Sequence, residues 1–236
     1  MAAVSTRLDR IPWPAVEAEL EQRPYARLGC LLTAVECRQL IALYADEACF
    51  RSRIDMERHR FGAGEYKYFA NPLPPLVEEL RAAAYPCLAR VANRWAEALG
   101  QSERFPERLE PFLDRCHAAG QRRPTPLLLR YETGGYNALH QDLYGEVAFP
   151  LQVAVFLSRP GRDYTGGEFL LVEQRPRAQS VGEALLLGEG EAVVFANRHC
   201  PLRSPRGFYR AAVRHGVSRV RSGRRFTLGV IFHDAL

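Results

Sequence analysis

The chain has 236 residues, a formal net charge of +5 and a pI of about 9.0. Hydrophobic residues make up 47% and charged residues 25%, which is typical of a globular domain and excludes a collagen-like or intrinsically disordered chain. No apolar run approaches the ~20 residues of a membrane-spanning helix, and the N-terminal segment lacks the apolar core of a secretory signal. The six cysteines form no CxxC pair, so we expect reduced thiols and a cytoplasmic location.

Arginine supplies nearly all of the positive charge, and Lys67 is the single lysine. This bias extends over the whole chain, so charge alone gives weak support for nucleic-acid binding. The C-terminal third is the most arginine-rich part. Its arginines would form either a basic rim for nucleic acid or an acidic peptide, or an ordinary solvated surface. They are Arg198, Arg203, Arg206, Arg210, Arg214, Arg219, Arg221 and Arg224.

Helical patterns dominate residues 1–123. Thr33 followed by Glu36 three residues later is a capping-box signature, so a helix is predicted to begin there. A long amphipathic pattern contains Pro86, which predicts a kink or a break. Residues 50–74 show no helical period and are predicted to form short strands and a loop. The predicted helices are 13–22, 33–44, 76–100 and 106–119.

From residue 124 the apolar residues recur at every second position, which is the period of a β-strand. Many short strands with glycine-rich turns between them predict a jelly-roll or a barrel. We expect one α+β domain, residues 1–236. Its mainly helical part, 1–123, would pack on one face of a double-stranded β-helix formed by 124–236. The predicted strands are 127–131, 148–157, 167–172, 183–187, 191–196 and 225–232, and a tight turn is predicted at Ser222–Gly223.

Three residues form a candidate metal-binding set. Residues i and i+2 of a strand point the same way, so His140 and Asp142 can aim at one point. Together with a distant histidine, His215, they provide two imidazoles and one carboxylate. Such a set holds one face of a metal and leaves the other open, as in the facial triad of non-haem Fe(II) oxygenases. Either histidine taken alone would more readily be structural or solvated, so the argument depends on all three.

The last predicted strand alternates between a polar and an apolar face. Arg225, Thr227 and Gly229 share one face, and the intervening apolar residues share the other. Inside a barrel, the planar guanidinium of Arg225 would pair with a carboxylate through two hydrogen bonds, and the glycine would leave room for it. The alternative is a solvated arginine on an edge strand.

The order HxD, a distant histidine and an arginine ten residues later resembles the 2-oxoglutarate/Fe(II)-dependent dioxygenase superfamily. The resemblance covers roughly residues 127–232 and is similar to prolyl-4-hydroxylase-like members, with a bacterial branch most similar in the N-terminal part. It implies an oxidoreductase that uses Fe(II), 2-oxoglutarate and O2, and it leaves ascorbate open as an additional cofactor. The implied iron ligands are His140, Asp142 and His215, and the implied 2-oxoglutarate contacts are Arg225, Thr227 and Tyr131.

The resemblance leaves the substrate open. We expect hydroxylation of a protein side chain or a small molecule, with release of succinate and CO2. The first alternative is a nucleic-acid oxidative demethylase with the same chemistry, and the second is a non-enzymatic, cupin-like binding module. Candidate substrate contacts are Lys67, Asn137 and Tyr144, and no membrane partner is expected. The pattern makes no prediction about the oligomeric state.

Overall fold

The computed structural model describes residues 3–142, 145–175 and 177–236. All α-helices of these residues lie in the first half of the chain, as the apolar periodicity predicts. They pack against a β-structure that fills most of the second half. The helices are α1 (Val4–Asp9), α2 (Trp13–Leu20), α3 (Ala34–Leu43), α4 (Pro75–Ala98) and α5 (Leu109–Ala118).

The helix starts and interiors follow from identifiable residues. The predicted capping box at α3 is confirmed: Thr33 accepts a hydrogen bond from the Glu36 amide, and the Glu36 carboxylate accepts one from the Thr33 amide. The predicted break at Pro86 is wrong, because α4 continues through it. The buried face of α4 compensates for the amide that proline lacks, since the Tyr85 ring packs on Phe112 and Phe149.

The β-strands form two antiparallel sheets, and more of them exist than the sequence pattern predicts. Strands that the periodicity missed include short ones and one interrupted by a glycine at position 29. The strands are β1 (Tyr25–Cys30), β2 (Phe50–Asp55), β3 (Gly62–Ala63), β4 (Glu65–Phe69), β5 (Leu127–Glu132), β6 (Tyr136–His140), β7 (Leu151–Phe156), β8 (Tyr164–Gly166), β9 (Phe169–Gln174), β10 (Val181–Leu185), β11 (Glu191–Ala196), β12 (His199–Ser204), β13 (Gly207–Val217) and β14 (Val220–Val230).

The predicted jelly-roll architecture is confirmed. The large sheet has the strand order β1-β11-β7-β14-β5-β4-β2, and β8 also pairs with β14. The small sheet has the order β10-β9-β13-β6-β3, and β12 also pairs with β13. Strands β1, β2 and β4 come from the first 123 residues, so the part predicted to be mainly helical also completes the large sheet. None of the helices in the described ranges is long and apolar enough to cross a membrane.

The hairpin of β13 and β14 turns earlier than predicted. Ser222–Gly223 lies inside β14, and the chain reverses at residues 218–219 instead. Gly223 has a φ of 79°, and a Cβ there would collide with the carbonyl oxygen of Asp163. The glycine is therefore required by the close approach of β8 across a register shift in β14, which a local turn pattern does not reveal.

Candidate active site

A cavity of about 420 Å³ opens between the two sheets. His140 at the end of β6 and His215 on β13 are register partners, which brings them together from positions 75 residues apart. Asp142 follows β6 by two residues. One potential ligand atom from each of the three lies within 4.8 Å of the others. The three residues that the sequence pattern selected thus meet on one wall of the cavity.

The three side chains face one another closely. The Nε2 atom of His140 lies 3.4 Å from Oδ1 of Asp142, and the Nε2 atom of His215 lies 3.2 Å from Oδ2. The two imidazole centroids are 4.2 Å apart. His140 donates its Nδ1 proton to the carbonyl of Ala138 over 2.8 Å, which leaves the Nε2 lone pair directed at the cluster. Both histidines therefore present the nitrogen that a divalent metal would bind.

The charges at this cluster are coupled. Burial acts to raise the pKa of Asp142, but the charge of His215 and the hydrogen bonds from both histidines outweigh it, so that pKa lies well below its usual range. For His140, the bond to Asp142 outweighs burial and raises the pKa, whereas burial dominates at His215 and lowers its pKa. A carboxylate held ionised between two imidazoles is a suitable donor set for a divalent cation.

Gln152 on β7 is a site residue that the sequence analysis missed. Its Nε2 donates to Oδ2 of Asp142 over 2.9 Å. A signal was present in the sequence, because Gln152 is the one polar residue in a strand whose six residues are all buried. The rings of Phe195 and Phe169 lie 4.9 and 6.0 Å from the His215 ring and close the cluster on its inner side.

Arg225 lies in the same cavity with most of its hydrogen-bonding capacity unused. It is 1% exposed, and its Nη1 donates to Thr227 over 2.6 Å. Its Nε and Nη2 atoms are buried without a hydrogen-bond partner among the described residues, and so is the hydroxyl of Tyr131. Burial lowers the pKa of Arg225, but a guanidinium stays charged at neutral pH. An unpaired buried cation is costly, so this pocket fits an anion such as a carboxylate.

The polar face predicted for β14 is present in the structure. Arg225, Thr227 and Gly229 all line the cavity. A Cβ at Gly229 would lie 2.6 Å from Cδ2 of Leu127, so part of the room that the glycine leaves is taken by this leucine. The predicted alternative of a solvated arginine on an edge strand does not hold, since β14 pairs with β5 on one side and β7 on the other.

The predicted substrate contacts separate into three cases. Asn137 lines the cavity. Tyr144 lies outside the described residues. The structure does not bring Lys67 to the cavity: its ammonium is buried, donates to the Tyr44 carbonyl over 2.9 Å and pairs with Glu47. Tyr66, the neighbour of Lys67 in β4, points the other way and lines the cavity.

The cavity opening has two apolar side chains that the sequence analysis did not select. Phe61 is 48% exposed and Leu139 is 42% exposed, and both line the cavity. The ring of His59 stacks on Phe61 at 5.4 Å with an interplanar angle of 19°. The opening therefore offers an aromatic surface next to the candidate metal ligands.

A family model of oxygenases, described as catalysing oxidative methylation of damaged DNA, matches residues 64–235. This match covers nearly three quarters of the chain and includes every residue of the cluster. The chain belongs to this oxygenase family. The predicted oxidoreductase activity and the predicted membership of the 2-oxoglutarate/Fe(II)-dependent dioxygenase superfamily are thereby confirmed. An uncharacterized protein of Mycobacterium tuberculosis strain H37Rv is 54% identical over 167 residues, which is 71% of this chain and 72% of that protein.

Solved structures with the same fold include several 2-oxoglutarate/Fe(II) oxygenases. A Pseudomonas putida prolyl-4-hydroxylase is similar with a TM-score of 0.56 and 14% identity, covering 95% of this chain and 100% of the other. A Burkholderia pseudomallei oxidoreductase of the 2-oxoglutarate/Fe(II) oxygenase family has a TM-score of 0.54 and 16% identity, covering 96% and 94%. A Trichoplax adhaerens prolyl hydroxylase, solved with a hypoxia-inducible-factor peptide, has a TM-score of 0.57 and 14% identity, covering 94% and 89%. At these identities the likeness establishes the oxygenase fold.

Proposed function

We propose that this oxygenase depends on Fe(II) and 2-oxoglutarate and oxidises an alkyl group on a damaged nucleic-acid base. The main observation behind the proposal is that one cavity contains both the His140–Asp142–His215 cluster and the unpaired guanidinium of Arg225. A metal site alone would fit many activities. A metal site beside a buried, unsatisfied cation fits a metal with a carboxylate co-substrate.

His140, Asp142 and His215 would hold the iron, and Gln152 would keep the Asp142 carboxylate in orientation. Iron with 2-oxoglutarate supplies oxidation of a substrate carbon coupled to release of succinate and CO2. The residues of the chain bind and orient the groups and limit water access. The inner side of the cluster is closed by Phe169 and Phe195, which keeps the candidate site dry on that side.

Arg225 and the hydroxyls of Thr227 and Tyr131 would receive the 5-carboxylate of 2-oxoglutarate. Two guanidinium nitrogens and the Tyr131 hydroxyl are available as buried donors. In a buried site of low dielectric, a charge-assisted pair of this kind is stronger than in water. Thr227 already accepts one hydrogen bond from Arg225, so it holds the guanidinium in place.

The proposed substrate follows the description of the family, which names damaged DNA. Hydroxylation of a methyl carbon bound to nitrogen leads to loss of that carbon, so the chemistry of this oxygenase class would remove a methyl group from a base. The exposed Phe61 at the opening offers a surface on which a base can stack. A protein side chain or small molecule remains the alternative, with no contact in the structure that favours it.

The proposal is tested first without a nucleic-acid substrate. Anaerobic titration of the Fe(II)-loaded protein with 2-oxoglutarate should develop the weak visible charge-transfer band of a keto acid bound to iron. The band should be lost in His140→Ala, and Arg225→Met should need much more 2-oxoglutarate. His117→Gln, on α5 and outside the cavity lining, serves as the matched histidine control and should behave as the wild type. A folded, iron-loaded wild type that develops no band would refute the proposed cofactor chemistry.

The substrate is tested separately. An oligonucleotide with an N-methylated base is incubated with the protein, Fe(II), 2-oxoglutarate and O2, and loss of the methyl group is followed by mass spectrometry. Demethylation by the wild type and none by His140→Ala would support the nucleic-acid substrate. A normal charge-transfer band without demethylation of any N-methylated base would return the protein or small-molecule substrate to first place.

A further inference from the structure

A second cavity, of about 510 Å³, lies near the outer face of the small sheet. Its lining is rich in arginine, and we call it the basic cleft: Arg175, Arg177, Arg198, His199 and Arg210, with Gln174 and Ala212 between them. These residues come from the end of β9, the segment after it, the start of β12 and the middle of β13. Tertiary structure thus gathers four arginines that are up to 35 positions apart in sequence.

Most of this positive charge is not neutralised. Arg175 pairs over 2.6 Å with Glu173, which is buried. In the described part of the chain, neither Arg177, Arg198 nor Arg210 forms an ion pair with an acidic side chain, and all three are exposed. Arg210 donates to Nδ1 of His199 over 3.1 Å, and burial together with the nearby arginines lowers the pKa of His199. The cleft therefore has net positive charge at neutral pH and free guanidinium donors.

The basic cleft lies beside the candidate metal ligands. Gln141, between His140 and Asp142 in sequence, donates its Nε2 to the carbonyls of Arg198 at 3.1 Å and of Val213 at 2.7 Å. Ala212 on β13 is three residues from His215, or about 10 Å along a strand. Arg210 and Ala212 alternate with the buried Ala211 and Val213 and so face outward. One ligand can therefore contact the cleft and reach round the rim into the cavity.

We propose that the basic cleft binds the phosphodiester backbone of a nucleic acid next to the nucleotide whose base enters the cavity. This inference rests on the proposed nucleic-acid substrate. An enzyme that acts on a base must take it out of the stack, and phosphate contacts then fix the register of the strand. The planar fork of arginine matches phosphate oxygens, and several exposed guanidinium groups within one cleft match a repeating anion. Phe61 at the opening, available for base stacking, favours a nucleic acid over an acidic peptide.

The test measures binding and needs no turnover. A fluorescein-labelled single-stranded oligonucleotide of mixed sequence is titrated with the full chain, and fluorescence anisotropy is recorded from 50 to about 300 mM NaCl. The double variant Arg177→Ala/Arg210→Ala should bind roughly 25-fold more weakly at about 0.1 M salt, because each lost contact to a single strand removes a salt exponent of about 0.7. The slope of log Kd against log salt should fall by about 1.4.

The matched control is Arg10→Ala/Arg38→Ala, which removes the same charge from exposed arginines on the N-terminal helices. It should keep the slope and nearly all of the affinity. Thermal unfolding of both variants checks that each is folded. A slope that falls equally in both variants would overturn the proposal, because the effect would then be one of net charge.

Two other outcomes would also overturn it. One is a wild type that does not bind the oligonucleotide; the charge-transfer band of the iron-loaded protein then shows whether the proposed cofactor chemistry stands without the cleft. The other is a labelled oligoglutamate peptide that binds the wild type more tightly than the oligonucleotide and loses that binding in Arg177→Ala/Arg210→Ala. In that case the cleft would bind an acidic peptide.

Discussion

Arg81 on α4 and Arg225 on β14 are both almost completely buried, at 3% and 1% exposure, yet their surroundings differ. Arg81 donates to the carbonyls of Ile231 and Phe232 and pairs with the Asp234 carboxylate at 2.8 Å. Arg225 donates to one hydroxyl and leaves two nitrogens without a partner in the described structure. The first guanidinium holds the C-terminal segment against a helix, and the second faces a cavity.

This difference separates a structural charge from a functional one. Desolvating a charge is expensive, so a protein that buries one without a partner loses stability unless a ligand supplies the counter-charge. Asp234 accepts from Arg81 and also lies 3.1 Å from Nε2 of His117, which makes the C-terminal network self-contained. The Arg225 pocket is incomplete by itself. The predictions below test that contrast.

Replacing Arg81 should have the largest effect on stability. In Arg81→Met the Asp234 carboxylate and two backbone carbonyls lose their main donor while they stay buried. We expect the free energy of unfolding to fall by about 3–5 kcal/mol, as when one partner of a buried pair is removed. Urea denaturation followed by circular dichroism measures it. A loss below ~1 kcal/mol would mean that the network is not self-contained.

Replacing Arg225 should affect binding and not stability. Arg225→Met removes an unpaired buried charge, so the free energy of unfolding without 2-oxoglutarate should stay the same or rise. The affinity for 2-oxoglutarate should fall by about 2 kcal/mol or more, roughly 30-fold, because the co-substrate carboxylate loses its buried partner. Titration of the Fe(II)-loaded protein measures the affinity. If Arg225→Met destabilised the protein as much as Arg81→Met, Arg225 would be a structural residue.

His233 should make stability depend on pH. Burial and the nearby charge of Arg81 lower its pKa to about 4, against about 6.5 in an unfolded chain. The unfolded state therefore binds the proton first as the pH falls, so the free energy of unfolding should drop between pH 6.5 and 4, by up to about 3 kcal/mol, and be unaffected by this group above pH 6.5.

His233→Asn provides the comparison for that pH dependence. The amide oxygen of asparagine can accept the hydrogen bond that the Phe149 amide gives to Nδ1, but it does not titrate. Urea denaturation of both proteins at pH 7.5, 6 and 5 should show a smaller loss of stability in the variant. Equal losses in both proteins would assign the pH dependence to other groups.

Gln152 should contribute a smaller amount, to metal binding alone. In Gln152→Leu the Asp142 carboxylate loses the amide that orients it, and we expect the affinity for Fe(II) to fall roughly 10- to 100-fold. Competition with a coloured chelator under anaerobic conditions measures this affinity. Gln39→Leu, an exposed position on α3, is the control and should leave the affinity unchanged.

Lys67 should have the smallest effect. Its ammonium pairs with Glu47, whose side chain is 72% exposed, and it also donates to the Tyr44 carbonyl. Lys67→Met should lower the free energy of unfolding by about 1 kcal/mol and leave the KM for a substrate unchanged. Tyr66→Ala, on the cavity face of the same strand, should raise that KM. A larger KM change in Lys67→Met than in Tyr66→Ala would restore Lys67 as a substrate contact.

Much of the fold could be predicted from the sequence because helix and strand periods are local. The capping box at Thr33 and the strands around Leu128 and Val193 follow from patterns of a few residues. Local signals failed where neighbours in space decide. Pro86 stays inside a helix because that helix buries a long apolar face, and Gly223 lies in a strand because β8 approaches it closely.

The candidate site divides in the same way. The HxD segment and the Arg225-x-Thr227 alternation are visible in the sequence, since i and i+2 share a face in any strand. Gln152, Phe61 and the basic cleft became evident only when strands from distant parts of the chain were placed side by side. Lys67 was selected for its rarity, and rarity does not show which face of a strand a residue occupies.

The amino-acid sequence by itself determined the ligand types, two imidazoles and a carboxylate, and an arginine on the polar face of a strand. Tertiary structure alone decided that His215 lies opposite His140, and that Arg225 is buried without a counter-charge while Arg81 has one. The physical reason is that side-chain alternation is a property of one strand. Cross-strand register and burial depend on every layer packed around it.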